Sequence, residues 1–310
     1  MILIYMALRV HEFFGFTPLD PRAKEFVNQL KCPFVNQNCI KPRHGACSVQ
    51  QISAEMPVIC CPNRMYGENF KILKDIAKEV FGPKIRLTKA SDFGKLNNKI
   101  KSSGNVVIVF GKYWGKELPL PKPPGIKGAV PRNFYMDWIL ARISPDGEVF
   151  DFTAIEVQTI DTTGSYIEQS NAFFKGEEFI DSKGRTPGYS DSGINWENVN
   201  KRILPQLIYK GHVLRREKKC TKGLYFVCPE QVVERIKERL GGGLHLYDPQ
   251  PGAITIRSYI IGKSEEKGGH KKMIFSSQFT TTVDQIAVAF TSPRNLPEMN
   301  VYEAAIKANM

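Results

Sequence analysis

The sequence lacks any apolar run of the roughly 20 residues that a membrane-spanning helix needs, and it has no internal repeat or coiled-coil heptads. Its first residues, "MILIYMAL", are apolar but short, and they lack the basic residues that begin a secretory signal. We interpret them as a buried first element or as a misassigned start. These absences predict a soluble, cytoplasmic protein, in which a disulfide framework is disfavoured.

Acidic residues are too few to balance the basic ones. The 310 residues include 43 Lys and Arg against 31 Asp and Glu, a formal charge of +12. Such an excess favours polyanionic partners, nucleic acid first. A generally basic surface that only aids solubility is the alternative.

Hydrophobic periodicity predicts one central sheet with helices, an α/β or α+β core. The predicted helices are 67–82, 195–211 with a kink at Pro205, and 229–243, and the predicted strands are 105–111, 135–143, 149–160, 222–229 and 253–262. The stretch "FTTTVDQIAVAF" fits either a strand or a helix. Residues 118–131 are rich in proline and 162–196 in Gly, Ser, Asp and Lys, so both are predicted to be loops.

Three polar side chains are predicted to meet in "YMDWILARI" and "FTAIEVQTID". Glu156 and Gln158 lie two residues apart in a predicted strand, so they share one face of it. A two-residue turn at Asp146-Gly147 would join this strand to its neighbour and would place Asp137 opposite Glu156.

Two converging carboxylates repel each other, and their burial is costly unless a hard divalent cation such as Mg²⁺ lies between them. Such an ion polarises a phosphoryl oxygen and activates water. The spacing also fits a structural alternative, in which Glu156 lies on an exposed edge strand and Gln158 bonds a neighbour.

Five of the seven cysteines lie close together in the chain, at Cys32, Cys39, Cys47, Cys60 and Cys61. Six and seven residues separate the first three, and twelve or thirteen precede the last ligand. Four thiolates can hold zinc or iron tetrahedrally and so stabilise a loop with little core of its own. The spacing is not that of a zinc finger, and scattered core thiols are the alternative. Cys220 and Cys228 lie elsewhere and are interpreted as core or surface thiols.

Longer strings carry a family resemblance. "MDWILARI", "AIEVQTIDTTGSY" and "NWENVNKRILPQLIYKG", together with the cysteine cluster, resemble the NotI-type restriction endonucleases from about Cys32 to Cys228. Asp137 followed by Glu-x-Gln resembles the PD-(D/E)xK nuclease motif with glutamine in place of lysine. The resemblance implies a type II restriction endonuclease that cuts double-stranded DNA with Mg²⁺, and a restriction-endonuclease-like core with a central mixed sheet flanked by helices.

Site residues follow from the resemblance. Asp137 and Glu156 would bind the catalytic Mg²⁺ and Gln158 would complete the site. Because the motif lysine is missing, we expect the metal to carry more of the catalysis, and Glu117 is a further carboxylate that could assist, although a solvated loop glutamate explains it as well. The family's four-cysteine iron site would correspond to Cys32, Cys39, Cys47 and Cys61, with iron or zinc as the structural metal. Cys61 is preferred to Cys60 because a proline follows it, as Pro33 follows Cys32.

The predicted organisation has two parts, a metal-binding segment at 1–95 and an endonuclease core with DNA-recognition elements at 96–310. The family further implies a homodimer that acts on GC-rich palindromes. The loop 162–196, with Lys183, Arg185 and Asp191, is a candidate base reader. The rival hypothesis is a non-catalytic DNA-binding protein with a cysteine metal module, and only Asp137, Glu156 and Gln158 distinguish the two.

Overall fold

A seven-stranded mixed sheet lies at the centre of the structure, and a three-stranded and a two-stranded sheet accompany it. The structure is a computed structural model that describes residues 7–41, 45–120, 135–180, 188–265, 269–292, 296 and 298–310. The strands are β1 (Leu8–Phe13), β2 (Ala46–Gln51), β3 (Val58–Ile59), β4 (Arg86–Lys89), β5 (Val106–Gly111), β6 (Trp138–Ile143), β7 (Val149–Val157), β8 (Thr162–Thr163), β9 (Gly193–Ile194), β10 (Leu224–Pro229), β11 (Ala253–Glu265) and β12 (Lys271–Thr282). The helices are α1 (Lys24–Gln29), α2 (Gly67–Phe81), α3 (Ala90–Phe93), α4 (Asn98–Lys101), α5 (Ile167–Lys175), α6 (Leu204–Arg215), α7 (Glu230–Leu240), α8 (Val283–Thr291) and α9 (Val301–Ala308).

The large sheet has the strand order β12-β11-β10-β7-β6-β5-β4. β6 lies antiparallel between β5 and β7, whereas β7, β10 and β11 run parallel to one another. The chain crosses from β7 to β10 through α5 and α6, and from β10 to β11 through α7. The predicted central mixed sheet flanked by helices is therefore confirmed.

Both faces of this sheet are covered. On one face, α2 packs Ile72, Leu73 and Ile76 into a core that includes Trp138 and Ile155. The opposite face packs against α6, α7 and α8, and its core includes Leu207, Ile236 and Ile286. Successive side chains of a strand therefore pack alternately into the two cores, because odd and even residues of a strand point to opposite faces. In β7, Ala154 belongs to the core on the α6 side.

The β6–β7 hairpin has the predicted register but not the predicted turn. Trp138 pairs with Ile155 and Arg142 with Asp151, and a bulge then shifts the pairing by one residue. Beyond the bulge, the Ser144 N–H donates to the Glu148 carbonyl oxygen at 2.9 Å, which leaves a three-residue loop. The bulge and the longer loop offset each other, so the register matches that of a two-residue turn.

Several predicted segments differ from the structure. Segment 162–196 contains β8, α5 and β9, so its prediction as a structureless loop was wrong. The stretch after Phe279 is both strand and helix, since β12 ends at Thr282 and α8 begins at the next residue. The kink predicted at Pro205 is a π-helical turn at Val199–Ile203 that leads into α6. Most of the proline-rich loop lies outside the described residues.

The N-terminal part folds around the small sheet β1-β2-β3 and a buried ion pair. The Arg64 guanidinium binds Glu12 through two hydrogen bonds of 3.0 and 3.1 Å, and Ser48 donates to the same carboxylate at 2.8 Å. Arg64 also donates to the Lys271 carbonyl oxygen in β12 at 2.6 Å, which ties this part to the large sheet. The division of the chain at residue 95 stays a prediction. Among the described residues, no helix is long and apolar enough to cross a membrane.

Candidate active site

Asp137 and Glu156 meet at the point where β6 begins and β7 ends. Asp137 directly precedes β6, and continuing the β6–β7 register by one residue places it opposite Glu156. The backbone N–H of Val157 donates to Asp137 Oδ2 at 2.8 Å, which fixes the aspartate against β7. Because β7 is paired on both sides, Glu156 is not on an exposed edge strand.

Burial makes this pair of carboxylates electrostatically unusual. Glu156 is buried, and its Oε2 atom has no hydrogen-bond partner among the described residues. The pKa of Glu156 is raised to about 7, first by burial and then by the charge of Asp137. Burial also raises the pKa of Asp137, although the Val157 N–H and Lys210 oppose that effect. Two acids of this kind hold negative charge poorly unless a cation joins them.

One positively charged side chain contacts this pair of carboxylates, through Glu156. The Lys210 ammonium, which α6 delivers to the sheet, makes an ion pair with Glu156 Oε1. The strand motif gives no indication of Lys210, although the position of this lysine within α6 does. Lys210 lies three residues after Leu207 and four before Leu214, so it shares a helix face with two leucines, and lysine is rare at such buried positions.

Gln158 lies just beyond β7, and its backbone N–H continues the ladder by donating to the Val227 carbonyl oxygen at 2.9 Å. Its side-chain amide donates to the Thr159 carbonyl oxygen at 2.9 Å. The structure therefore brings Asp137 and Glu156 together, while the Gln158 side chain binds the backbone of its neighbour.

The loop after β5 adds charges beside Asp137. The Glu117 carboxylate raises the pKa of Asp137 and the Lys112 ammonium lowers it, after the larger effect of burial. Lys112 and Tyr113 also line a polar cleft of about 680 Å³ together with Lys31, Asn36 and Asn38. Lys112 thus lines a basic and amide-lined cleft and also acts through its charge on Asp137.

Four of the clustered cysteines lie near enough for the charge of Cys32 to affect the other three. The charges of Cys61 and Cys32 raise the pKa of the buried Cys47 thiol, after the larger effect of burial, and Cys32 likewise affects Cys39 and Cys61. Burial raises the pKa of Cys32, Cys39 and Cys61, and nearby backbone N–H groups oppose that effect: those of Phe34 and Val35 at Cys32, of Lys41 at Cys39, and of Asn63 at Cys61. Such donors favour a thiolate, the form that binds metal.

Cys60 differs from its neighbour Cys61. Its pKa is raised to about 11 by burial, and the principal charges that act on it are those of Lys41 and Glu12. Its sulfur faces the Ala46 carbonyl oxygen at 3.9 Å, within the core on the α6 side of the large sheet. Across the described parts of the chain, no three Cys, His, Asp or Glu side chains are assembled closely enough to coordinate one ion. The cysteines therefore fit a soft metal by donor chemistry and not as a closed site.

A comparison with known families bears on the same residues. The family model of restriction endonuclease NotI matches residues 127–232, which include Asp137, Glu156, Gln158 and Lys210. This match confirms, over less than half of the chain, the resemblance noted in the sequence, and it implies a nuclease that binds DNA. No curated protein matches the chain.

Proposed function

We propose that the chain is a type II restriction endonuclease that uses Mg²⁺ to hydrolyse phosphodiester bonds of double-stranded DNA at a GC-rich palindrome. One observation carries the proposal: Asp137 and Glu156 face each other across β6 and β7 within the region that matches the restriction endonuclease family. Lys210 and the Val157 N–H each satisfy only one oxygen of these two repelling carboxylates, so a structural role alone leaves Glu156 Oε2 without a partner among the described residues.

The donor set fits Mg²⁺. The ion prefers carboxylate oxygens, and in many phosphate-processing sites one or two carboxylates suffice because substrate phosphates complete its coordination. Glu156 supplies a buried oxygen, Oε2, that lacks a hydrogen-bond partner among the described residues. Asp137 and Glu156 would hold the ion, and Gln158 would complete the site. When bound, Mg²⁺ would stabilise negative charge on the reacting phosphate.

The surrounding residues are suited to holding the DNA backbone. Lys31 and Lys112 line the polar cleft, and the charge of Lys112 also reaches Asp137. Lysines beside a cleft attract phosphates, and amide side chains such as Asn36 and Asn38 can donate to phosphate oxygens. A strand lying along this cleft would bring a phosphate towards Asp137 and Glu156.

Recognition of a palindrome requires two symmetric readers, so we propose a homodimer in which each protomer cuts one strand. Guanine is read by Arg or Lys and cytosine by Asp or Glu in the major groove. Segment 162–196 is proposed to take part, with Asp191 in its described portion; Lys183 and Arg185 lie outside the described residues.

A structural iron or zinc ion is proposed at Cys32, Cys39, Cys47 and Cys61. The effects of these thiols on one another's pKa support this choice, and Cys61 is preferred to Cys60 because a proline follows it, as one follows Cys32. Such an ion would hold the N-terminal segment in shape and would take no part in hydrolysis.

Glu156→Ala tests the proposed chemistry. We expect it to abolish cleavage while DNA binding without metal stays intact or strengthens, because one negative charge near the phosphates is removed. The wild type is first incubated with GC-rich genomic DNA and Mg²⁺, and the ends of the products are sequenced. Cleavage and gel-shift assays on the variant then use that sequence, and a thermal melt confirms folding.

Glu148→Ala is the matched control, because Glu148 is an exposed carboxylate of the same hairpin. It should cut like the wild type. Mg²⁺-dependent cleavage by folded Glu156→Ala would exclude the proposed mechanism. A wild-type protein that binds DNA but never cuts it would favour the non-catalytic DNA-binding protein.

A further inference from the structure

Lys210 is a charged side chain in an apolar setting. Its side chain is only 6% exposed, and the neighbouring buried residues of α6 are apolar. Lysine almost never lies buried unless it is paired, since removing an ammonium from water costs several kcal/mol. The pairing with Glu156 Oε1 is therefore the feature to explain.

The backbone of α6 is adapted to bring this lysine close to the sheet. Gly211 follows Lys210, and a Cβ atom at Gly211 would lie 2.8 Å from Val283 Cγ2 and 3.0 Å from Ile254 Cδ1. A larger residue at this position would require the Val283 and Ile254 side chains to shift or α6 to move away from α8 and β11. The close approach allows the Lys210 side chain to reach Glu156 on the face of β7 that α6 covers.

The carboxylate that Lys210 binds belongs to a motif in which glutamine stands where nucleases of this type carry lysine. The Gln158 amide carries no charge, and it donates to the Thr159 carbonyl oxygen. Lys210 therefore brings to this position the positive charge that the motif itself lacks. It arrives from a different element, which is why the strand sequence gives no sign of it.

We infer that Lys210 is the fixed cation of the nuclease site, which holds Glu156 by one oxygen and supplies positive charge beside the reacting phosphate. This inference rests on the proposed function. Glu156 Oε1 is taken by Lys210, while Oε2 has no partner among the described residues and remains for the metal ion. A preorganised charge of this kind stabilises the negative charge that develops on the phosphate.

The competing explanation is an ion pair that serves stability alone. A buried pair is weak evidence for function, because removing one partner strands the other charge whatever its role. The two explanations differ in what a neutral hydrogen-bond donor at position 210 should do. Such a donor satisfies Glu156 Oε1 but supplies no charge to the phosphate or to a metal ion.

The test compares Lys210→Gln and Lys210→Met with the control Lys201→Met. Lys201 lies in the π-helical turn before α6, where it is exposed and pairs with Glu197 at 3.6 Å, so the control removes the same charge from the same helical segment. Three quantities are measured: cleavage of DNA that the wild type cuts, Mn²⁺ affinity of the DNA-free protein by calorimetry at pH 8, and thermal melting.

We expect both Lys210 variants to lose cleavage by on the order of 100-fold or more, which is the usual effect of removing one preorganised charge. Their Mn²⁺ affinity, corrected by titrations at several pH values for the higher pKa that Glu156 acquires without the lysine, should rise severalfold, because a positive charge beside the ion is gone. Lys201→Met should match the wild type in both measurements. Retained cleavage in folded Lys210→Gln would overturn the inference.

The remaining outcomes are also decisive. If neither Lys210 variant folds, the pair serves stability and the inference fails. If the wild type binds Mn²⁺ but cuts no DNA, the proposed function fails. The Mn²⁺ titration of the variants then still tests whether the Lys210 ammonium lies beside the bound ion. Unchanged or weaker Mn²⁺ binding by folded Lys210→Gln would then show that the ammonium does not face the ion.

Discussion

At the scale of single residues, environment and not residue type sets the chemistry. Glu148 and Glu156 lie in one hairpin, but Glu148 is exposed, whereas Glu156 is buried between Asp137 and Lys210 with its pKa raised to about 7. Burial penalises the charged carboxylate and the neighbouring aspartate adds to the penalty. Only the second glutamate therefore gains by binding a cation.

We expect the buried ion pair of Arg64 and Glu12 to contribute strongly to the stability of the protein. Arg64 is 0% and Glu12 1% exposed in their side chains. Arg64→Met leaves the Glu12 carboxylate buried with only Ser48 as a donor, so we expect a loss of about 3–5 kcal/mol in the free energy of unfolding. Urea denaturation measures this quantity.

Arg22→Met is the control for that prediction. Arg22 binds two carboxylates, Asp20 and Glu265, but the Arg22 and Glu265 side chains are about half exposed, and ion pairs that water reaches contribute little. We expect the two variants to differ clearly in their urea midpoints. Equal midpoints would mean that Arg64 is not the residue that stabilises the N-terminal part.

At the scale of elements, α6 links the core to the site. The helix follows a π-helical turn, has Pro205 in its first turn, and buries Leu207, Lys210 and Leu214. One helix therefore contributes both the apolar cover of the sheet and the charge at Glu156. Its distance from the sheet depends on Gly211.

Gly211→Ala should destabilise the protein by about 1–3 kcal/mol, as overpacking in a filled core does. It should also lower cleavage more than stability alone explains, because α6 and Lys210 would move away from Glu156. Gly94→Ala is the control, since a Cβ atom there meets nothing within 4 Å. Melting curves and cleavage rates are compared, and a folded Gly211→Ala protein with wild-type cleavage would contradict the role given to this close approach.

At the scale of the whole molecule, the N-terminal part is held against the end of the β11–β12 hairpin. Arg64 reaches the Lys271 carbonyl oxygen, and the neighbouring His270 ring packs within 4.3 Å of Phe16 and 5.2 Å of Phe34, between ring centroids. Burial lowers the pKa of His270 below its ordinary value of 6.5, and the Arg64 charge lowers it further.

The lowered pKa of His270 predicts how the stability of the protein depends on pH. Because the folded protein holds His270 below the pKa of the unfolded chain, the unfolded state takes up the proton first as the pH falls through 6.5. Stability should therefore decline below that pH. Urea unfolding at several pH values should show a smaller decline of the unfolding free energy in His270→Phe, because phenylalanine does not titrate. An equal decline in both proteins would assign the pH dependence to another group, for example His11.

The proposed metal is also a property of the whole chain. Purified protein should carry about one iron or zinc ion per chain, and Cys61→Ser or Cys47→Ser should lose it together with folded yield. Cys60→Ser should keep the ion, because Cys61 and not Cys60 is the proposed fourth ligand. Elemental analysis decides this, and a folded wild-type protein without metal would exclude the site.

The sequence by itself determined the local and paired features. The alternation in β6 and β7 and an assumed two-residue turn placed Asp137 opposite Glu156, and that register is correct although the turn was wrong, because a bulge offsets the three-residue loop. The sequence segments that resemble the NotI-type endonucleases include the same two strands. Only the tertiary structure decided that β7 is a central strand, that Glu156 is buried, and that Lys210 binds it. These features depend on helix-to-sheet packing between residues 54 positions apart, which local patterns do not encode.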